Sequence, residues 1–353
     1  MEVALYDAAH GYYARAARRS GRRGDFFTSV DVGPLFGELI AVQLAGMWAL
    51  LRDAGAALFD IVEAGAGSGR LARDILDAAA REHPDLYENA RVTLVERSAA
   101  ARGAQRAMLG PHASTMVSAE EIPAATTGVI FANELLDALP VHVVTMTASG
   151  LREIYVTERE GRLVEIEGPM SDPTVTGYIS DCISRSGLTL AIGARVEVGL
   201  EAEHWVRRAA DTLDRGFLLL FDYGHEAREL YSATHHSGTL MSYRGHTARA
   251  EDWLNDPGER DLTSHVNLTT VRRAAESAGL QTLGVIDQTY FLGALGLVER
   301  LDPGDDRGAL KRRLAAKTLV MPGGLGSTMK VMVFAKGVGT PALRGLSNGR
   351  LTR

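Results

Sequence analysis

A single cysteine, Cys182, stands among 353 residues, so no disulfide can close within the chain and a cysteine-rich zinc site is excluded. A reducing compartment is expected. Basic residues are in deficit, 38 Lys and Arg against 44 Asp and Glu, for a net charge of -6. A chain whose main partner is nucleic acid needs a basic face against the phosphates, so no nucleic-acid partner is expected. The one basic cluster, Arg15, Arg18, Arg19, Arg22 and Arg23, reads as a solvated loop between Gly11 and Gly24. No uninterrupted apolar run approaches the roughly eighteen residues that span a bilayer, and the N-terminus lacks the charged-then-apolar order of a secretion signal. No membrane span and a soluble, cytoplasmic protein are therefore expected. The ten histidines show no metal-ligand spacing, His235-His236 reads as an exposed polar pair, and no metal is expected. A nucleophile elbow, a Ser-His-Asp arrangement and an internal repeat are missing too.

What is present is a 46% hydrophobic composition, enough to bury one large α/β core with an appended or inserted subdomain. The informative stretch is Asp60-Ile-Val-Glu-Ala-Gly-Ala-Gly-Ser-Gly69. An apolar run stops at Glu63, glycines follow at positions 65, 67 and 69, and residues 70–80 carry helical periodicity. This is a strand, a tight turn and a helix. Glycines there let a ligand lie against bare backbone. The spacing is G-x-G-x-G, not the G-x-G-x-x-G that cradles a pyrophosphate. Glu63 beside the turn would repel phosphate and favour a cationic ligand, such as the ammonium and sulfonium of S-adenosylmethionine. Glu96 ends the next apolar run, where such folds place the acid that binds ribose hydroxyls. The pattern reads as the first two strands of a Rossmann-like methyltransferase. A nicotinamide site, or incidental glycines in an ordinary strand-turn-helix unit, are the alternatives.

Along the chain, a long amphipathic helix is expected at 34–54, with Asp25, Thr28 and Ser29 before it forming a turn and cap. Helices at 99–109 and strands at 114–117 and 128–132 continue the alternation. The buried strand runs into Asn133-Glu134-Leu-Leu-Asp137, at the carboxyl end where ligands of open α/β sheets sit. Glu134 and Asp137, three apart on an expected helical turn, should project to the same side. Antiparallel strands at 141–146, 152–159 and 163–166 then break the rhythm. Residues 141–200, with a helix at 175–186, read as an inserted subdomain covering the active face. A strand at 216–221 ends in Asp222-Tyr223-Gly224, and strands at 281–287 and 329–335 close the sheet as an antiparallel pair. The domain reading is thus an N-terminal gating segment at 1–57, a core at 58–140 and 201–336, the insertion at 141–200 and a frayed tail at 337–353.

Several pieces together resemble the MidA-like family of S-adenosylmethionine-dependent methyltransferases. They are Ala4-Leu-Tyr6 with His10-Gly-Tyr-Tyr13, Gly24-Asp-Phe-Phe-Thr-Ser29 with Phe36-Gly-Glu38, the glycine turn, Ala132-Asn-Glu-Leu-Leu-Asp-Ala-Leu-Pro140, Asp222-Tyr-Gly224, Asp261-Leu-Thr-Ser-His-Val266 and Met329-Lys-Val331. The resemblance implies a class I methyltransferase fold with an inserted α+β subdomain, S-adenosylmethionine as cofactor, and a protein substrate. In mitochondrial members the implied role is arginine methylation of a respiratory complex I subunit during assembly of that complex. It also implies a segment ahead of the Ala-Leu-Tyr piece. The site expected is Glu134, Asp137 and Asp25 for catalysis and Glu63, Gly65, Gly67, Gly69, Glu96 and Asn133 for the cofactor. Tyr12, Thr28, Ser29, His142, Asp222 and Tyr223 are assigned to the acceptor. A small-molecule methyltransferase and a non-catalytic, cofactor-binding assembly factor are the competing functions, and a homodimer is the assembly named for the chain.

Overall fold

The computed structural model describes residues 1–14, 28–245, 247–250, 253–301, 304, 306–321, 325, 326 and 328–347. Asp25, the arginine cluster, the first four residues of the Gly24-Asp-Phe-Phe piece and positions 348–353 lie outside them. The chain divides into two compact units.

The larger unit comprises the described residues of Ala16–Leu135, Arg208–Asp222 and Ala275–Arg353. Its strands are β1 (Phe59–Ala64), β2 (Ala90–Val95), β3 (Met116–Ala119), β4 (Thr126–Asn133), most of β9 (Leu213–His225), β14 (Gln281–Asp287) and β15 (Met329–Lys336). They lie in the order β14-β15-β9-β4-β1-β2-β3. Pairs β1/β2, β1/β4, β2/β3 and β4/β9 are parallel, and β14/β15 is antiparallel, as expected. Phe59, Ile61, Val62, Val129, Ile130 and Phe131 are almost fully buried. Such continuous apolar runs mark strands covered on both faces. Strand order reverses between β1 and β4, so the crevice beyond their carboxyl ends is the switch point where open α/β sheets bind ligands.

Helix Leu35–Asp53 matches the sequence reading and crosses helix Arg70–Glu82 closely. A Cβ on Gly37 would stand 2.6 Å from that of Asp74, so no larger residue fits there. This helix corrects one expectation. It is 19 residues long with a mean hydropathy of 1.4 in its most apolar window, long and apolar enough to cross a membrane by length and composition, although 67% of that window is buried in the protein. Glu38 and Gln43 interrupt the apolar run in sequence, yet both are buried and partnered. Glu38 receives Arg300 and Arg312, and Gln43 Oε1 accepts the Gly345 N–H at 2.9 Å. That last bond corrects another expectation. The tail is docked rather than frayed as far as Ser347, with Leu343 buried and Arg344 Nε donating to the Ala294 carbonyl at 3.0 Å.

The second unit comprises the described residues of Met1–Arg15, Leu136–Arg207 and Tyr223–Ala274; the segment 141–200 falls within it. Strands β5 (His142–Thr147), β6 (Gly150–Arg159), β7 (Arg162–Gly168) and β8 (Arg195–Val198) form an antiparallel sheet in the order β7-β6-β5-β8. Helix Pro173–Ser186, capped by Asp172 on the Thr174 N–H, packs Val175, Tyr178, Ile179 and Cys182 against Val144, Val196 and Val198. A second sheet of β10 (Met241–Arg244), β11 (Thr247–Arg249) and β12 (Asp261–Thr263) was not foreseen. Its strands are too short to show a period. Strand β9 does not stop at Phe221; it continues to His225 because Gly224 and His225 pair with β13 (Val266–Asn267).

Candidate functional site

Each glycine of the turn after β1 has its own task. Gly69 is left-handed, φ 83°, and begins helix Arg70–Glu82; a Cβ there would collide with Leu94 and Leu109 at 2.7 and 2.8 Å. Gly65 faces Leu135, 3.1 Å from where its Cβ would be. Gly67, also left-handed at φ 51°, would point a Cβ into space with no atom within 4 Å. Room in front of bare backbone is what a ligand requires. Glu96 holds this turn in shape. Its Oε2 accepts the Gly67 N–H at 2.9 Å and its Oε1 the Ser98 N–H at 2.7 Å. Each carboxylate oxygen retains a further acceptor direction, so ribose hydroxyls can still bond it.

Glu63 is 5% exposed and accepts the Ala72 N–H of the following helix at 3.1 Å. Burial, reinforced by the charges of Glu96 and Asp74, pushes its carboxyl up to about 8. At neutral pH it is therefore largely protonated, and a cation placed against it would draw the proton off.

Directly after β4 the chain makes an elbow rather than the expected helical turn. Glu134 is left-handed at φ 53°, an unfavourable conformation for a residue with a Cβ, and no helix covers 134–140. The elbow is pinned by β9: the Glu134 N–H bonds the Phe221 carbonyl at 2.9 Å, and the Leu135 N–H bonds Asp222 Oδ2 at 3.2 Å. Glu134 Oε1 accepts from the Ser29 N–H and from Asn133 Nδ2, both at 3.1 Å. Burial outweighs these bonds, and with the nearby acids Asp222 and Asp31 it raises the Glu134 carboxyl to about 8. Asn133 Oδ1, on the other side of that amide, is buried without a hydrogen-bond partner, an acceptor awaiting a donor.

One unit thus gathers Glu63, Gly65, Gly67, Gly69, Glu96, Asn133, Glu134, Ser29, Thr28 and Asp222. Asp222, 1% exposed, positions the elbow. Thr28 gives its N–H and hydroxyl to Asp31 at 3.1 and 2.9 Å, and Arg70 meets the same carboxylate at 3.1 Å; this is a turn, as its residues alone suggested, but not the helix cap, which is Pro34. Asp137, Tyr12, His142 and Tyr223 belong to the other unit. Without a helical turn, the argument that Glu134 and Asp137 face one side falls away. His142 Nδ1 lies 2.7 Å from Glu153. Tyr12 is buried against Tyr13, and the Tyr13 hydroxyl donates to Asp261 at 2.8 Å. Two residues were missed. Gln105 is fully buried and donates to the Gly67 carbonyl at 3.0 Å, and buried Gln288 accepts the Ser29 hydroxyl at 3.3 Å. A glutamine in an amphipathic helix gives no local signal; only its partners reveal it. The histidines, expected to be scattered, also need correction. His236 is exposed, but His235 is half-buried and lies against His225, tilted, and His265, edge to face. Burial and those two neighbouring rings push His265 down to about 4.

Comparison with known proteins agrees with this geometry. Residues 39–286 match a family described as "putative S-adenosyl-L-methionine-dependent methyltransferase". The protein arginine methyltransferase NDUFAF7 homolog, mitochondrial, of Drosophila melanogaster is 27% identical over 335 residues, covering 86% of this chain and 71% of that protein. The protein arginine methyltransferase NDUFAF7, mitochondrial, of Danio rerio is 28% identical over 327 residues, 85% and 73% respectively. Among solved structures, a COG1565 superfamily member from Burkholderia thailandensis bound to S-adenosyl-homocysteine superposes with a TM-score of 0.87 at 29% identity, covering 99% of this chain and 89% of its own. The relatives are named as mitochondrial proteins, which overturns the cytoplasmic location expected from composition alone.

Proposed function

The chain belongs to the family of S-adenosyl-L-methionine-dependent methyltransferases matched over residues 39–286, and on that premise we propose that it methylates arginine in a protein. The cofactor fits the residues present. Open space before Gly67 admits it, the unpartnered Asn133 Oδ1 can accept from its ammonium, Glu63 offers a carboxyl to positive charge, and Glu96 can take its ribose hydroxyls. When bound, it supplies a methyl group already activated as a sulfonium.

The observation that carries the arginine reading is the Glu134 elbow. A guanidinium is protonated at any physiological pH and its lone pairs are delocalised. A carboxylate that pairs with it can fix its plane and accept the proton released as the nitrogen is methylated. Glu134 is held for that task by Ser29 and Asn133. With its pKa near 8, it is a stronger base than an ordinary glutamate and is matched to working pH. Arginine as acceptor also accords with the names of the relatives. Asp137 and Asp25 remain second candidates for the same pairing. The segment 141–200 is assigned the protein acceptor, a reading supported by Val156 and Leu163, 45% and 39% exposed on neighbouring strands.

The test is intact-mass analysis of candidate acceptor proteins, a respiratory complex I subunit first, incubated with cofactor and either the native chain or Glu134→Gln. Addition of methyl groups to arginine is expected, and it should fall on the order of a hundredfold or more in the variant while cofactor binding persists. Turnover of a small acceptor without any protein present would replace this reading with a metabolite enzyme. Undiminished transfer by Glu134→Gln would discard the carboxylate pairing.

A further inference from the structure

Three imidazoles from separate parts of the second unit converge at one point. His225 is the last residue of β9, His235 ends the short turn Ala233–His235, and His265 lies between β12 and β13. Their ring centroids are 4.9, 5.2 and 6.0 Å apart. One ligand-capable nitrogen from each lies within 4.8 Å of the other two. On a tetrahedral ion with bonds of 2.0–2.1 Å, nitrogen ligands stand about 3.3 Å apart, so modest side-chain rotations bring all three onto one centre.

The backbone fixes this arrangement. Gly224 and Val266 are paired across β9 and β13, and a Cβ on Gly224 would lie 2.5 Å from the Val266 carbonyl; only glycine lets the strands approach so closely and set the adjoining His225 and His265 side by side. The His265 N–H bonds Thr239 Oγ1 at 3.0 Å. His235 Nδ1 lies 3.1 Å from the Glu229 carbonyl. Donation to a backbone carbonyl through Nδ1 leaves the Nε2 lone pair for a ligand, the usual outer support of a metal-binding histidine. The other two rings carry the more telling sign: Nδ1 of His225 and Nδ1 of His265 are buried with no hydrogen-bond partner. Glu229 Oε1 comes within 3.1 Å of His225 Nδ1 but is not aligned for a hydrogen bond. The ring contacts alone would leave both nitrogens unsatisfied.

We propose that His225, His235 and His265 bind a divalent zinc ion through three imidazole nitrogens, with the fourth position left to water. Imidazole sets of this kind suit zinc among the available ions. The ion would join the end of β9, the Ala233–His235 turn and the β12–β13 connection. None of the three histidines has a part in the proposed methyl transfer.

The full chain, stripped with a chelator, is dialysed against zinc chloride and its metal content measured, with cobalt(II) chloride as a visible-spectrum reporter. Expected are one ion per chain, the absorption of a tetrahedral nitrogen-ligated cobalt centre, and a thermal midpoint that rises with zinc concentration. His225→Gln and His235→Gln should weaken binding at least about tenfold, whereas His236→Gln, the exposed neighbour outside the cluster, should not. Circular dichroism and S-adenosyl-homocysteine binding check folding. Should His225→Gln not fold, the half-exposed His235→Gln carries the test. Absence of stoichiometric zinc, unchanged affinity in a folded His235→Gln, or an equal loss in His236→Gln would overturn the proposal.

Discussion

Glu63 and Glu134 are carboxyls that burial drives toward the protonated state, and each has a measurable consequence. A glutamate whose folded pKa exceeds its unfolded value favours folding below the unfolded value, and that advantage disappears as pH rises through the folded one. Stability of the cofactor-free protein should therefore fall between about pH 4.5 and about pH 8. Glu134→Gln should flatten that fall and raise the thermal midpoint near pH 8, even as it removes activity, in a calorimetric series against pH. At saturating cofactor, kcat/KM for the acceptor should climb with pH and bend toward a plateau at about 8, where the base is half ionised. For Glu63 the expected sign is that cofactor binds more tightly as pH approaches 8 and expels a proton when it binds at pH 7. Calorimetry in buffers of different ionisation enthalpy reads that proton directly, and its absence would remove Glu63 from the cofactor contact. Gly67→Val should abolish S-adenosyl-homocysteine binding, since its Cβ would enter the open space. Glu63, Glu96 and the glycines were legible in sequence because turn chemistry is local. The left-handed φ of Glu134, and Gln105 beneath the turn, were not, because both are imposed by neighbours distant in the chain.

At the scale of elements, boundaries written in periodicity came out well. Helix Ala99–Leu109 and strand Gln281–Asp287 have the limits read from sequence. Elements defined by their partners did not. The end of β9 was misplaced because its last residues are strand only through β13, and an acidic Asn-Glu-Leu-Leu-Asp stretch looked helical although β9 bends it into an elbow. Asp222→Asn should disturb that elbow while sparing its packing, lowering kcat more than cofactor affinity. On β6 and β7, Val156 and Leu163 share one face as diagonal neighbours: Val156 pairs with Glu165, and Leu163 with Glu158. Replacing both by serine should raise the KM for a protein acceptor and leave S-adenosyl-homocysteine affinity unchanged. An unchanged KM would take the acceptor surface away from the 141–200 segment.

For the whole molecule, the α/β class and cofactor chemistry were legible because strand ends and glycines repeat a familiar local grammar. Docking of the C-terminal stretch was not, since Arg344–Leu346 carries no period and is fixed by Gln43 and Ala294. Gly345 rests on Phe291, whose ring would lie 2.3 Å from an added Cβ. Phe291 in turn meets Phe221, and Phe221 meets Phe36, edge to face. Gly345→Ala should therefore cost about 1–3 kcal/mol, read as a lower denaturation midpoint. The strand order has a further consequence, for synthesis. β15 is the last of the described strands, yet it lies between β14 and β9. While the polypeptide is still leaving the ribosome, β9 has β4 along one border, and the other border, bearing the apolar stretch from Phe217 to Phe221, stays bare until residue 336 has emerged. A nascent chain in that condition exposes an edge open to pairing with other chains. Messages truncated before the codon for Met329 should yield insoluble product, and holdase chaperones should be captured on stalled chains from which His225 but not Lys336 has emerged.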